Sequence, residues 1–263
     1  MKTCKKSGRL AELIKLYVQG TIKSKIDIYR HIFRFSARPT DKILDAGCNV
    51  GTRTIELLKV PGVYVCAMDI SLHNIKATKK AALEICSSNQ LDMVLGDLLH
   101  LPIRNGAFNK ILCTEVLEHV SNDQKAFREL CRVLQIGGTL MISVPTFFAE
   151  TFFAHLGMKH PYHLRTYTLE KISSMVSEQL RVINLERMYS KTFFFLTIVA
   201  LSHTPMDFNR SQVKRQTLIL RIYEEIWRFF DKLSLAGPLD YFISCFTPFA
   251  RSWVIAAVKE PTN

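Results

Sequence analysis

Residues 42–69 read KILDAGCNVGTRTIELLKVPGVYVCAMD. An apolar strand, a glycine turn, a short helix and a second apolar strand ending in a carboxylate follow one another here. Ile43, Leu44 and Ala46 form an apolar run suited to a buried strand, and Gly47 and Gly51 flank a tight turn. In such a turn a side chain would block the approach of a ligand to the backbone. The spacing predicts a helix from about Thr52 to Lys59, stopped by Pro61-Gly62, and a second buried parallel strand over Val63 to Met68. Asp69 then stands at the carboxyl end of that strand, where open α/β sheets bind ligands and a carboxylate can accept both hydroxyls of a ribose. The stretch reads as a nucleoside-binding β-α-β unit.

The pattern continues downstream. LDMVLGDL, residues 91–98, predicts a third strand ending in Gly96-Asp97. After LHLPIRNGAF comes a fourth, Asn109 to Glu115 (NKILCTE), running into VLEHV. A helix over Asp123 to Leu134 meets Gly137-Gly138, and Thr139 to Pro145 (TLMISVP) predicts a fifth strand. Thr168 is placed to cap a helix from Leu169 to Gln179, with Glu170 in its first turn. Arg181 to Met188 reads as a sixth strand and Trp253 to Lys259 as a last one.

Taken in order, DAGCNVG, the acid after the second strand, GD after the third, ILCTEVLEHV and LQIGGTLMISVP resemble the class I S-adenosylmethionine (SAM)-dependent methyltransferases. The group containing the quinone-biosynthesis enzymes is the nearest in pattern. The resemblance covers Lys42 to Val144 closely and implies an α/β Rossmann-like sheet, mostly parallel with an antiparallel last strand, N-terminal helices and a helical insertion before the last strand. The implied division is an N-terminal amphipathic cap (1–41), a SAM-binding core (42–190), an aromatic helical insertion (191–248) and the last core strand (249–263). Asn49 stands where the family's turn usually carries its middle glycine; Asn is the residue that best tolerates left-handed backbone angles after glycine. The dinucleotide fingerprint G-x-G-x-x-G is absent from this turn, which disfavours hydride transfer.

The resemblance also implies a cofactor site. Asp45, Gly47 and Gly51 would line the methionine moiety, Asp69 and Ile70 the ribose and adenine edge, Asp97 and Leu98 the adenine ring, and Thr114 the backbone near the sulfonium. Asp97 can accept from the adenine amino group, or cap a turn as Asp often does. Methyl transfer asks mainly for alignment and exclusion of water, and a base is needed only for a hydroxyl or an acidic carbon. Glu115, His119 and His163 are the catalytic candidates, lying after strands that face the site. Glu115-x-x-Glu118-His119 resembles the divalent-metal site of some quinone O-methyltransferases and small-RNA 2′-O-methyltransferases, but many relatives carrying EVLEH are not known to use metal. No metal is assigned from the sequence.

The expected activity is SAM-dependent methyl transfer to a small or lipid-like acceptor. Metal-dependent RNA 2′-O-methylation is the enzyme alternative, and a methyltransferase-fold binding partner without acceptor chemistry is the non-enzyme one. No basic module with stacking aromatics is identifiable, so nucleic acid is disfavoured as a partner. About sixty residues between the last two strands are rich in aromatics: KTFFFLTIVALSH (191–203), QTLILRIYEEIWRFFDKL (216–233) and PLDYFISCFTPF (238–249). Ile219, Ile222, Tyr223, Ile226, Trp227 and Phe230 keep a helical stripe, which predicts a lid over a bulky apolar acceptor.

Composition fits a cytoplasmic enzyme. The chain has 263 residues, 48% of them hydrophobic, enough to bury a substantial core. Its seven cysteines show no C-x-x-C pair and read as reduced, with Cys66, Cys113 and Cys131 inside apolar elements. No signal segment is evident at the N-terminus, and the longest apolar run, Thr192 to Leu201, is about half of the ~20 residues a bilayer span requires. Charge is uneven: the first 38 residues hold ten Lys or Arg against Glu12 and Asp27, net +8 of the chain's +12. Apolar residues recur there at helical spacing (Leu10, Leu13, Ile14, Tyr17; Ile22, Ile26, Tyr29, Phe33), which predicts basic amphipathic helices that either cap the sheet or touch an anionic membrane or a phosphate-bearing substrate. The full-length protein is expected to co-sediment with anionic liposomes at low salt and to be released at high salt, where the Debye length falls to about 3 Å at 1 M. Absence of binding at low salt removes the membrane role.

Overall fold

The computed structural model describes residues 37–83, 90–147, 150–151, 161–188 and 252–261. The expected N-terminal helices and aromatic insertion lie outside these residues.

Seven strands form one sheet: β1 (Lys42–Ala46), β2 (Tyr64–Asp69), β3 (Leu91–Leu95), β4 (Phe108–Thr114), β5 (Leu134–Pro145), β6 (Arg181–Met188) and β7 (Ser252–Val258). Their order is β3-β2-β1-β4-β5-β7-β6. β1 pairs in parallel with both β2 and β4, β2 with β3, and β4 with β5, whereas β7 runs antiparallel to β5. This is the mostly parallel, Rossmann-like sheet of the class I methyltransferase fold. The chain leaves β1 toward β2 on one side and returns to β4 on the other, so the carboxyl ends of β1 and β4 flank the point where strand order reverses. Open α/β sheets place their ligand crevice there.

Among the described residues, four α-helices pack on this sheet: α1 (Thr52–Leu58), α2 (Leu72–Ala82), α3 (Asp123–Val133) and α4 (Leu169–Ser177). Each of the last three starts on a side-chain cap, Ser71, Asn122 or Thr168 accepting from a backbone N–H three residues on. α3 turns Ala126, Phe127, Leu130, Cys131 and Val133 inward, a stripe at helical spacing. The core joins these residues to Leu44, Met68, Ile111, Leu140, Val144 and Tyr167. The described cysteines Cys48, Cys66, Cys113 and Cys131 are free and buried, and burial pushes the Cys66 and Cys131 thiols up to about 12, which leaves them protonated and inert.

Several boundaries differ from the sequence reading. β5 begins at Leu134, not Thr139. Gly137, at φ +77°, bends the chain without ending the strand: its N–H donates to the Lys259 carbonyl at 2.7 Å, and Lys259 N–H donates back to Gly138 O at 3.1 Å. The Lys259 ammonium also donates to the Cys131 and Leu134 carbonyls at the end of α3. β3 ends at Leu95, and the next N–H, that of Gly96, still donates to Asp69 O. β4 ends at Thr114 because Glu115 takes a left-handed φ of 56°.

The LHLPIRNGAF connection is pinned to α3 by one ion pair. Arg132 donates from Nε and Nη2 to the two Glu129 oxygens, both at 2.8 Å, and reaches the Ile103 and Leu101 carbonyls. Glu129 also accepts from Leu101 N–H at 2.9 Å. The Arg132 guanidinium holds the Glu129 carboxyl below the usual carboxylate range. A lowered folded-state pKa stabilises above the unfolded value of about 4.3, and the gain is lost as pH falls through the folded value. Glu129→Gln is therefore expected to melt below wild type at pH 7, with the gap closing as pH drops below about 4 in thermal melts. A gap independent of pH would deny the carboxylate this role.

Candidate functional site

The turn after β1 carries three left-handed residues: Gly47 at φ 77°, Asn49 at 51° and Gly51 at 82°. Asn49 thus supplies the left-handed geometry expected of it. Gly47 and Cys48 N–H both donate to Met68 O at 2.8 Å, folding the turn over the end of β2. The two glycines are required by packing within the protein as well as by φ. A Cβ on Gly47 would meet the Val116 side chain at 2.5 Å, and one on Gly51 would meet Thr78 at 2.6 Å. Neighbouring side chains thus add to the reason read from the sequence, the approach of a ligand.

Asp69 gathers the next layer. Its Oδ2 accepts from Asn49 N–H at 2.8 Å, and its Oδ1 from Ser71 N–H at 2.9 Å and from Asn74 Nδ2 at 3.1 Å. The carboxylate is 8% exposed and ties the glycine turn to the start of α2. An ionised carboxylate has about four lone-pair sites, so these three bonds leave one for a ligand hydroxyl. Next to it Ile70 is 74% exposed.

Asp45 lies beneath the turn. It is 1% exposed, and its Oδ2 accepts from the Thr54 hydroxyl at 2.6 Å, which fixes the first turn of α1. Burial pushes its carboxyl above the ordinary range, opposed by Arg53 and the Thr54 hydroxyl. At the end of β3, Asp97 Oδ1 accepts from Leu99 N–H at 2.9 Å, the turn-capping arrangement. Leu98 is buried in the core behind it, and Thr114 is buried at the end of β4.

A second group forms beside these strand ends. Glu115 N–H donates to Ser143 O at 2.9 Å, and Glu115 Oε1 accepts from the Ser143 hydroxyl at 2.8 Å. Val116 leads into a single 3₁₀ turn, Leu117–His119, that carries Glu118 fully buried and His119 exposed. The loop before α4 brings in His163, its ring 4.8 Å from that of His119 and edge-on to it. His119 Nδ1 lies 2.9 Å from Tyr162 O, and His163 Nδ1 lies 3.0 Å from Glu150 Oε2. Of the three catalytic candidates, the fold brings the two histidines together and turns Glu115 to Ser143.

Arg165 holds this arrangement, and nothing in the sequence pattern singled it out. It donates to the carbonyls of Leu117, Val120 and Ser121, so the His163 loop is stitched to the Glu118–His119 turn. Leu164 N–H adds a bond to Glu118 O at 2.8 Å. Buried Tyr167 donates to Asp123 Oδ2, and its carbonyl accepts from Phe147 N–H and Trp253 Nε1. Glu150 likewise belongs to no motif. Exposed Phe147, Tyr162 and Leu164 give this end an apolar rim.

The packing explanation of the glycines has a direct check. Gly47→Ala is expected to lower stability through both a left-handed alanine, about 1–2 kcal/mol, and the clash with Val116. Adding Val116→Ala should restore the clash part only, read as a partial recovery of the melting temperature. No recovery would leave φ as the whole cause.

Residues 44–142 match the family described as methyltransferase domain. Norajmaline N-methyltransferase of Rauvolfia serpentina is 27% identical over 43% of this chain and 39% of its own length. A sterol 24-C-methyltransferase of Saccharomyces cerevisiae is 25% identical over 49% and 34%. The chain thus spans well under half the length of these relatives. Among solved structures, geranyl diphosphate C-methyltransferase of Streptomyces coelicolor, in complex with Mg2+, geranyl diphosphate and S-adenosyl-L-homocysteine, superposes at a TM-score of 0.54 with 16% identity over 86% of this chain and 73% of that one. The matched stretch is 99 of the chain's 263 residues, and the strand order around it is that of the class I methyltransferase fold.

Proposed function

We propose that the protein is an enzyme that binds SAM and transfers its methyl group to a small or lipid-like acceptor. One observation carries the reading: Asp69 holds the left-handed glycine turn at the strand-order switch and retains acceptor capacity there. A nucleoside laid across β1 and β2 would put its ribose on Asp69 and its adenine amino group on Asp97, with Ile70 exposed for a ring face. Asp45 and Leu98 then act from below, positioning the turn and backing Asp97. The matched domain and the cofactor bound by the similar geranyl diphosphate enzyme support the same choice. Asn49, the residue that favoured a non-catalytic protein, completes the turn and removes that support.

The finer assignment is an apolar acceptor of prenyl, sterol or quinone-precursor type, met in the cytoplasm or at an anionic membrane surface. The exposed Phe147, Tyr162 and Leu164 at the His119–His163 end support it, as do the sterol and prenyl substrates in the names of similar proteins. Either imidazole can take a proton from an acidic acceptor. The aromatic lid read from the sequence lies outside the described residues.

Calorimetry with SAM tests the cofactor. Wild type should bind it, and Asp69→Ala should weaken binding by about 1–3 kcal/mol, roughly 5- to 150-fold, while also lowering the melting temperature because three structural bonds go with it. No binding by folded wild type, or unchanged affinity in a folded variant, would refute the site. Methylation of a panel of quinone precursors, lipids and RNA then selects the acceptor, and RNA as the sole substrate would overturn the apolar assignment.

A further inference from the structure

We infer that the outer face of α2 is a docking surface for anionic phospholipid, on which Lys76, Lys79 and Lys80 meet the headgroups while Leu72 and Leu83 enter the boundary between headgroups and acyl chains. The surface is separate from the basic N-terminal segment, and lipid binding there is measurable whether or not the chain transfers methyl groups.

The face follows from helix geometry. At about 3.6 residues per turn, Leu72, Lys76, Lys79, Lys80 and Leu83 fall within an arc of about 100°, spread over roughly 16 Å of helix axis. Leu83 belongs to the face because this cap residue keeps helical angles, φ −58° and ψ −23°. All five side chains are exposed, Leu72 at 50% and Leu83 at 73%. The inner side of the helix is occupied by other work: Thr78 and Ala82 are buried, and Thr78 Oγ1 donates to Asn49 O at 2.9 Å. Turned outward, therefore, are an apolar residue at each end and three ammonium groups between them.

Charge and apolar exposure together select the partner. α2 holds no acidic residue, and none of the ion pairs between described residues uses these lysines. Lys76 stands three and four residues before Lys79 and Lys80, the spacings at which like charges on a helix repel one another. A polyanionic surface relieves that repulsion. Single exposed leucines are ordinary, but here two bracket the charged run on one face. A nucleic acid would neutralise the lysines and leave both leucines in water. A phospholipid surface takes both: leucines enter the acyl boundary, and lysine stems lie along it with their ammonium groups among the phosphates. The inner side of the same helix fixes Asp69 through Asn74 and the glycine turn through Thr78. Docking thus sets that turn roughly one helix diameter, about 10–12 Å, from the lipid. On the reading proposed above, a lipid-borne acceptor is then held near the cofactor.

The test uses the full chain and vesicles of phosphatidylcholine with or without phosphatidylglycerol. Co-sedimentation is expected only with the anionic lipid. A lysine near such a surface contributes about fivefold, so combining Lys76→Gln, Lys79→Gln and Lys80→Gln should weaken binding roughly 100-fold. A comparable loss is expected in a chain whose Lys5, Lys6 and Arg9 are already changed to Gln, which separates α2 from the N-terminal segment. Leu83→Trp should gain a blue-shifted emission on anionic vesicles, quenched by brominated lipid. All these positions are exposed, so melting temperatures and SAM affinity are expected to match wild type. Wild type that binds vesicles but not SAM overturns the cofactor reading and leaves the docking surface standing. Wild type that stays in the supernatant, a lysine variant that sediments like wild type, or a Leu83→Trp emission unmoved by vesicles overturns the surface. Lysine changes that abolish binding to an RNA duplex while leaving vesicle binding intact assign the face to nucleic acid and overturn it equally.

Discussion

The Asp69 carboxylate is the fixed point of the candidate site. It accepts from the turn after β1 through Asn49, from the start of α2 through Ser71, and from the Asn74 side chain. Three left-handed residues in five are costly for any chain, glycine because it gives up more freedom than other residues and asparagine because its Cβ crowds the backbone. A charge-assisted bond to Asn49 N–H offsets that cost at the one non-glycine position, since bonds to ionised groups are roughly twice as strong as neutral ones. The carboxylate itself is fixed because β2 pairs on both sides, with β1 and β3. Sheet order thus leads to a strand end, the strand end to a carboxylate, and the carboxylate to a turn that a nucleoside can approach.

On the other side of the switch point, the corresponding part is played by Arg165. Its guanidinium is planar and presents donors in a fixed fork, which suits three carbonyls of a short turn that has too few internal bonds to hold itself. A 3₁₀ turn of three residues has poorer hydrogen bonds than an α-helix. With Arg165 in place, Glu118 can stay buried and the two histidines can stand ring to ring. Lysine, a point charge on a flexible stem, would not span the same three acceptors.

The strands and the turn were legible because they depend on neighbours in sequence. Apolar runs set β1 and β2, and Thr168 announced α4. What stayed hidden rests on distant partners. The filling of the Gly47 and Gly51 Cβ positions by Val116 and Thr78 cannot be read from the turn itself. One Asp45 oxygen accepts from the Thr54 hydroxyl nine residues on, a pairing visible only once the strand and helix are stacked. The start of β5 was missed because Gly137-Gly138 reads as a stop, whereas bonds to Lys259 near the chain end keep the segment extended. Arg165 and Glu150 carry no motif at all, for their value lies in where a loop folds back.

The stretch Glu115–Glu118 joins the two halves. Glu115 turns the chain out of β4 through a left-handed corner that Ser143 of β5 holds at both its N–H and its carboxylate. The next residue, Val116, packs into the space a side chain on Gly47 would need, so the glycine turn is bounded from the β4 side. Two residues later Glu118 enters the histidine cluster. A shift of this corner therefore cannot move the cluster without also pressing on or releasing the glycine turn. Methyl transfer depends on the distance between donor and acceptor, and a misplacement of about 1 Å can cost on the order of 100-fold in rate. Routing both halves through one short, left-handed and doubly bonded corner ties the position of the glycine turn to that of the histidine pair.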